Sequence, residues 1–154
     1  MPECLTSLKS LNLRQSKITG EGLLALSSLN LEMLNLKYAD ITDHGMQGIG
    51  SLKYLKKLQL ENAHITNKGA KELSQLNCLV NLSLAGTNID DEGLKELTHL
   101  QNLKTLDLSG TKITDKSIDN LSSMSSLTCL YLTGVSDEGV KKLAKALPNC
   151  TIKK

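Results

Sequence analysis

Leucine alternates with other residues at six places along this 154-residue chain, each time within the pattern Leu-x-x-Leu-x-Leu. The last two leucines of each copy recur every 23 or 24 residues, at Leu11/Leu13, Leu34/Leu36, Leu58/Leu60, Leu82/Leu84, Leu106/Leu108 and Leu130/Leu132. Such alternation predicts a short strand whose leucines all face one side. Recurrence at a fixed interval predicts stacked copies that share one continuous core.

A helix-start signal follows each predicted strand. Thr or a similar capping residue comes shortly after a β-branched apolar residue, at Thr19, Thr42, Thr66, Asp90, Thr114 and Ser136. The side-chain oxygens of these residues can accept a hydrogen bond from the free N–H groups of a first helical turn. Apolar residues then recur every three, as at Leu94, Leu97 and Leu100, which predicts the buried face of a short helix. Each unit therefore reads as a strand, a turn and a helix.

Glycine recurs inside the predicted helices. It stands three residues after the capping position in five units, at Gly22, Gly45, Gly69, Gly93 and Gly139, and Ser117 replaces it in the fifth unit. Because glycine is a poor helix former, its recurrence indicates a close approach of backbone between adjacent units. A phosphate-binding role is not indicated, since the chain has neither GxGxxG nor GxxxxGK.

These residues resemble the leucine-rich-repeat family over almost the whole chain, from Leu5 to about Ile152, and the clearest copy is LKTLDLSGTKITDKSI at 103–118. The ITDxGL-type pattern is similar to the cysteine-containing, ribonuclease-inhibitor-like and bacterial branches. Where the cysteine-containing branch carries Cys or Asn, this chain has Ser16, Ala39, Ala63, Thr87 and Thr111, which weakens a link to F-box proteins. The resemblance implies an α/β leucine-rich-repeat solenoid of six strand–turn–helix units of about 24 residues, with a curved parallel sheet on its concave face.

No linker or low-complexity segment divides the chain, so residues 1–154 are interpreted as a single leucine-rich-repeat domain. Leu5 matches the last helical leucine of a preceding unit, so the sequence starts partway through a repeat. Either the N-terminal cap is only a few residues long, or the chain is a fragment of a longer solenoid. At the other end Pro148 is expected to stop the last helix, and Thr151 with Ile152 can add one short strand.

Charge and cysteine content exclude several classes of function. Lysine and arginine number 18 against 16 acidic residues, which gives no concentrated basic face for nucleic acid. No apolar run approaches the roughly 18 residues that cross a bilayer, and no signal peptide is recognisable, so we expect a cytoplasmic monomer that binds no membrane. The four cysteines are interpreted either as free thiols in a reducing compartment or as including a Cys129–Cys150 disulfide; they are Cys4, Cys78, Cys129 and Cys150.

The sequence contains no recognisable catalytic constellation. His44, His64 and His99 occupy three different repeat positions, so stacking does not bring them together as metal ligands, and we expect them to be solvent-exposed. Neither Gly-x-Ser-x-Gly nor His-Glu-x-x-His occurs. We therefore predict no enzyme activity, no cofactor and no metal.

Residues before, between and after each leucine pair are predicted to point away from the core, and the open face continues one residue further, where Tyr38 stands. Parallel sheets are usually covered on both sides, so this open face is the predicted partner-binding surface. Its larger or charged members are the predicted contact residues: Arg14, Lys37, Tyr38, Lys57, Gln59, Glu61, Asp107 and Tyr131. The function predicted is a protein–protein interaction module. The alternative is the substrate-recognition part of a larger enzyme, such as a ubiquitin-ligase subunit or a bacterial effector acting in a host cell.

Overall fold

One parallel sheet of seven short strands runs through the protein, and its strand order follows the chain. The computed structural model describes residues 7–154, so the predictions for Cys4 and Leu5 lie outside the described residues. The strands are β1 (Ser10–Asn12), β2 (Met33–Asn35), β3 (Lys57–Gln59), β4 (Asn81–Ser83), β5 (Thr105–Asp107), β6 (Cys129–Tyr131) and β7 (Thr151–Lys153). Leu34 lies opposite both Leu11 and Leu58, so the repeat positions are in register. The predicted α/β architecture of stacked strand–turn–helix units is confirmed, and so is the predicted last strand.

Short helices connect the strands. They are α1 (Asp43–Gly50), α2 (Asn67–Leu73), α3 (Asp91–Lys95), α4 (Ile118–Ser123) and α5 (Asp137–Ala146), with 3-10 turns at Glu21–Leu26 and Asp115–Ser117. Five of the six predicted capping residues occupy N-cap positions, and four of these accept a backbone N–H with their side chains: Thr66, Asp90, Thr114 and Ser136. Thr42 is an N-cap whose side chain makes no such bond.

The predicted helix start at Thr19 is wrong. The first unit forms a 3-10 helix whose N-cap is Gly20, in the left-handed region at φ 98°. A Cβ at Gly20 would lie 2.6 Å from the Cα of Gly45, so the two coils approach each other here through backbone. The third helix is also shorter than its apolar spacing suggests, because Leu97 and Leu100 follow α3 and are nevertheless buried.

The core consists of the repeated aliphatic positions. In the third unit Leu55, Leu58, Leu60 and Ile65 all have an exposed fraction of 0%. The equivalent side chains of neighbouring units pack against them in one cluster. Because every coil places the same branched aliphatic residues at the same height, the core fills without Phe or Trp, which the sequence lacks.

A second line of contacts joins the coils at the start of their helices, which we call the cap ladder. The Asp43 carboxylate accepts hydrogen bonds from the Thr66 N–H and from its hydroxyl, both over 2.7 Å. The same pairing recurs 48 residues later, where Asp91 accepts from the N–H and hydroxyl of Thr114 over 2.9 and 2.7 Å. Asp115 likewise accepts the Ser136 N–H over 2.8 Å. These acidic residues therefore bridge to the next coil.

Between the Asp43–Thr66 and Asp91–Thr114 contacts, the cap ladder uses an Asn–Asp pair in place of an Asp–Thr pair. The capping residue of the fourth unit is Asp90, and the residue bonded to it is Asn67. The Asn67 amide donates to Asp90 Oδ1 over 2.7 Å, and its carbonyl oxygen accepts the Asp90 N–H over 3.1 Å. An amide at residue 67 supplies the donor that a carboxylate would lack, so the ladder avoids placing two carboxylates in contact.

The cap ladder also lowers the pKa of its carboxyl groups. The hydroxyl and N–H of Ser136 hold the pKa of Asp115 below its ordinary value. Burial acts to raise the pKa of Asp91, but the hydrogen bonds from Ser117 and Thr114 outweigh it and leave that pKa lowered. Both groups are hydrogen-bonded as carboxylates, so the ladder is at full strength only when they are ionised.

The ladder explains most of the recurring glycines, and it corrects the expected reason for them. A Cβ at Gly69 would lie 2.6 Å from Asp43 Oδ1, and one at Gly93 would meet Asn67 Oδ1. The close neighbour at these positions is a ladder side chain, whereas backbone approach holds at Gly45. Ser117 takes the glycine's place where its hydroxyl can donate to Asp91 Oδ1.

Candidate functional site

The open face of the sheet carries the side chains that alternate with the buried leucines. Leu58 and Leu82 are at most 1% exposed, whereas Gln59 and Ser83 beside them are partly exposed. A pocket of about 240 Å³ lies on this face and takes its lining from four neighbouring strands. Four adjacent strands, β3 to β6, therefore contribute to one depression on this face.

Five of the eight predicted contact residues line this pocket: Lys57, Gln59, Glu61, Asp107 and Tyr131. The structure adds three polar residues that the prediction left out because their side chains are small, Asn81, Ser83 and Thr105. Asn81 and Ser83 stand level with the predicted residues Lys57 and Gln59, and Thr105 stands level with Asn81 on the next strand. The remaining three predicted residues, Arg14, Lys37 and Tyr38, are not among those lining it.

Glu61 connects the pocket to the neighbouring coil. Its Oε1 lies 2.6 Å from Lys37 Nζ, and the exposed fraction of its side chain is only 12%. The other carboxylate oxygen, Oε2, is buried and accepts no hydrogen bond from any described residue. The hydroxyl of Ser83, on the adjoining strand, is likewise buried without a partner in the described part of the chain. Buried polar atoms are normally hydrogen-bonded, so Glu61 Oε2 needs a donor, and the Ser83 hydroxyl needs a donor or an acceptor, from a bound molecule or from water.

Asp107 contributes the second carboxylate of the pocket. Its Oδ1 accepts the backbone N–H of Ser109 over 2.9 Å, which closes a tight turn at the end of β5. Asn12 and Asn35 hold the equivalent turn in the first two units, over 3.1 Å each. Asp107 has no ion-pair partner among residues 7–154, so its charge is not neutralised by a direct contact.

Two tyrosines stand on the open face, each beside a cation. The Lys153 ammonium lies 4.9 Å from the centre of the Tyr131 ring and 3.3 Å from its hydroxyl, and this contact raises the pKa of Lys153. The Arg14 guanidinium lies 5.5 Å from the centre of the Tyr38 ring. Tyr38 has φ 57°, a conformation that a bulky side chain rarely adopts, while its N–H donates to the Glu61 carbonyl.

An apolar patch adjoins the pocket at the amino ends of the strands. Met33, with an exposed fraction of 43%, lies beside Val80 in a depression of about 400 Å³. Lysines border it: Glu32 lies 2.7 Å from Lys56 and 3.5 Å from Lys9. The Lys56 ammonium holds the pKa of Glu32 below its ordinary value, and Lys9 adds to the effect.

The histidines, cysteines and acidic residues of the described chain form no second candidate site for a metal ion. His44, His64 and His99 are exposed, as predicted. Within residues 7–154 no group of three or more His, Cys, Asp or Glu residues is placed to hold a metal ion. No helix in that range is long and apolar enough to pass through a bilayer. Cys78, Cys129 and Cys150 are free thiols, so the alternative of a Cys129–Cys150 disulfide is not what the structure contains.

Comparison with known families gives a repeated match. The family described as Leucine Rich repeat matches the chain five times, at residues 4–27, 27–50, 51–74, 75–97 and 99–122. These matches cover well over half of the chain. No curated protein matches the sequence.

Several solved structures are similar in fold. A leucine-rich-repeat protein of Leptospira interrogans has a TM-score of 0.68 and 27% identity, over 97% of this chain and 44% of that one. An internalin of Listeria monocytogenes has a TM-score of 0.69 and 21% identity, over 97% of this chain and 48% of that one. The Arabidopsis receptor kinase HAESA, solved with the peptide hormone IDA and the co-receptor SERK1, has a TM-score of 0.62 and 20% identity, over 84% of this chain and 22% of that one. This chain thus spans less than half the length of each.

Proposed function

Because the chain belongs to the leucine-rich-repeat family, whose fold is a general protein-interaction module, we propose that it binds a protein partner through the open face of its sheet. Repeats of this family typically serve as binding modules. Fold alone does not select a surface, so the argument for this face has to come from its residues.

The observation that carries the proposal is the pocket shared by four strands. Most residues of a solvated face satisfy their polar atoms with neighbours or with water, yet here Glu61 Oε2 and Ser83 Oγ are buried and lack partners in the described chain. Both belong to residues that line the same pocket. A bound segment of a partner can supply the missing donor and cover the face that a parallel sheet usually has covered.

The neighbouring apolar patch supports a partner that lies across several strands. Met33 and Val80 line the adjoining depression, and Lys57 and Asn81 line both that depression and the polar pocket. Interfaces combine an apolar anchor with a few oriented polar contacts, and this face offers both within one surface. The HAESA structure was solved with a bound peptide hormone, and a peptide-like partner is what we propose for this chain.

A selection experiment tests the choice of face. Peptides would be selected from a random phage-displayed library on the wild-type protein, and the affinity of independent peptides would be measured for two variants. Lys57→Glu reverses a charge on the open face, and Lys57 has no ion-pair partner in residues 7–154. Lys68→Glu makes the same change at an exposed position of α2. We expect Lys57→Glu to change the affinity about tenfold, as gain or loss of one good charged contact does, and Lys68→Glu to leave it unchanged.

A charge swap makes the test independent of folding. Lys37→Glu combined with Glu61→Lys preserves an ion pair between the two coils but reverses its orientation on the open face. We expect the thermal unfolding of the double variant to stay close to that of the wild type while peptide affinity falls. Peptides that bind the swap and Lys57→Glu as well as the wild type, but lose affinity for Lys68→Glu, would place the binding surface on the helical side and overturn the proposal.

The role of this chain within a larger protein stays a prediction. A substrate-recognition part of a ubiquitin ligase or of a bacterial effector would use the same face. Coding sequence that flanks these residues and encodes a ligase or F-box domain would support that role.

A further inference from the structure

Resting on the proposed function, we infer that the partner inserts an arginine side chain into the pocket between Glu61, Ser83 and Asp107. The three residues line one pocket and stand on or just beyond the adjacent strands β3, β4 and β5. Asp107 is level with Ser83 on one side, and on the other side Glu61 lies two residues beyond Gln59, the residue level with Ser83. The two carboxylates therefore reach the pocket from either side of β4, an arrangement that suits a planar group with donors on both edges.

The pocket atoms that lack a partner favour a ligand that carries hydrogen-bond donors. Glu61 Oε2 can only accept, and it is buried without a partner among residues 7–154. Asp107 offers its second oxygen, since Oδ1 is taken by the Ser109 N–H. The Ser83 hydroxyl can donate or accept. A ligand made of acceptors, such as a carboxylate or phosphate, would meet carboxylate oxygens on two sides, so the chemistry of the site selects a cationic or N–H-rich group.

The distribution of charge at the carboxyl end of the strands favours a single positive charge. Lys37 pairs with Glu61 over 2.6 Å, and the Lys153 ammonium is bonded to the Tyr131 hydroxyl over 3.3 Å, whereas Asp107 has no ion-pair partner among residues 7–154. Lys57 also lines the pocket, but it stands at the first residue of β3, four residues before Glu61. Lys57 and Glu61 are the first and last residues that this coil contributes to the lining, so Lys57 stands at the end of the pocket away from Glu61.

Arginine fits this arrangement better than lysine. Its guanidinium presents five N–H donors in a fixed plane and can serve acceptors on two sides at once, whereas an ammonium is a compact and strongly hydrated charge. It is also more weakly hydrated, which suits a site whose acceptor atoms are already buried. Tyr131, the lining residue contributed by β6, adds an aromatic wall to the pocket.

The experiment uses small probes, so that it does not depend on finding the natural partner. N-acetyl-arginine amide would be titrated into the isotopically labelled full chain, and amide shifts would be followed by NMR. N-acetyl-citrulline amide has nearly the same shape without the charge. N-acetyl-lysine amide has the charge without the planar set of N–H donors. We expect saturable shifts at Ser83, Asp107 and their neighbours with the arginine probe, and an affinity about tenfold lower for citrulline, as expected for loss of a charge-assisted contact.

Two conservative variants connect the shifts to the pocket. Asp107→Asn removes the charge but keeps the turn, because Asn12 and Asn35 make the same turn in other units. Asp119→Asn makes the same substitution at an exposed position of α4. We expect Asp107→Asn to weaken the arginine probe about tenfold and Asp119→Asn to leave it unchanged.

The outcomes separate this inference from the proposed function. Absence of saturable shifts with the arginine probe, equal responses to citrulline, or an unchanged affinity of Asp107→Asn would each overturn the arginine site. Selected peptides that bind the open face but contain no arginine would leave the proposed function standing while this inference fell. Peptides that ignore the open face, together with a silent arginine probe, would overturn both.

Discussion

The Asn67–Asp90 step of the cap ladder gives the sharpest test of how the coils are held together. Asn67→Asp would replace the amide that donates to Asp90 Oδ1 over 2.7 Å with a second carboxylate. The variant loses one hydrogen bond and gains a like-charge contact. Two unit charges about 4 Å apart repel by roughly 4 kcal/mol at an effective dielectric of about 20. Both side chains are partly exposed and can rotate apart, so we expect a net loss of about 1–3 kcal/mol in the free energy of unfolding.

A compensating substitution makes the explanation specific. Asp90→Thr, added to Asn67→Asp, recreates the Asp–Thr pairing that Asp43–Thr66 and Asp91–Thr114 already show. Thr also preserves the helix cap, because both of those threonines accept an N–H from the helix that follows them. We therefore expect the double variant to recover most of the lost stability, with a coupling energy of about 1–2 kcal/mol in a double-mutant cycle.

The contribution of residues 67 and 90 to stability should depend on pH with opposite signs in the wild type and in Asn67→Asp. In the wild type, the Glu92 N–H and then the Asn67 amide hold the pKa of Asp90 below its ordinary value of 3.8. The unfolded chain therefore binds protons first, and this contribution to stability is present above that pH and is lost as the pH falls. In Asn67→Asp the adjacent carboxylates raise each other's pKa, so protonation of one relieves the repulsion and mild acid should narrow the gap to the wild type.

Urea unfolding followed by far-ultraviolet circular dichroism measures the free energy of unfolding of the wild type, of Asn67→Asp, of Asp90→Thr and of the double variant. The slope m is checked for equality among these four proteins. The reasoning would be refuted by an Asn67→Asp variant as stable as the wild type. It would also fail if Asp90→Thr added a further loss to Asn67→Asp, because the ladder would then not depend on complementary partners.

Two further predictions concern a glycine and the cysteines. Gly93→Ala should lower the free energy of unfolding by about 2 kcal/mol, because its Cβ would displace the Asn67 side chain. Gly22→Ala has no atom within 4 Å of the new Cβ and should be neutral or stabilising. Urea titration compares the two variants, and equal effects would contradict the role given to Gly93. Alkylation of the native protein with iodoacetamide, followed by mass spectrometry, should modify exposed Cys78 well before Cys150. Burial, and then Cys129, raise the pKa of the Cys150 thiol above the ordinary cysteine value of 9.0, so little of the reactive thiolate is present at neutral pH. Equal alkylation rates at neutral pH would count against this prediction.

Some expectations failed because they treated each unit as an isolated copy. The helix start predicted at Thr19 moved to Gly20, where the backbone of the first coil meets that of Gly45. The recurring glycine was expected to allow a close approach of the backbone of the adjacent unit. At Gly93 the group that approaches closely is the side chain of Asn67. In both cases the deciding neighbour lies about one repeat away, so the local sequence does not display it.

The candidate site was predictable in part. The alternation around the leucines identified the open face and five of the pocket residues, because side chains in a strand point alternately to its two sides. Ser83 was passed over, since a small side chain gives no signal of binding in a sequence. Its significance comes from burial without a hydrogen-bond partner in the described chain, which only coordinates show.

The sequence by itself determined the strand–turn–helix unit, its interval, its buried leucines and most of its helix caps, because these follow from the period of apolar residues and from local hydrogen-bonding capacity. The tertiary structure decided which residues meet across coils, including Lys37 with Glu61 and Asn67 with Asp90. It also decided that four strands share one pocket. A repeat fixes where every residue stands, but contacts between coils depend on distances of a few ångströms between side chains about 24 residues apart, and those are set by packing.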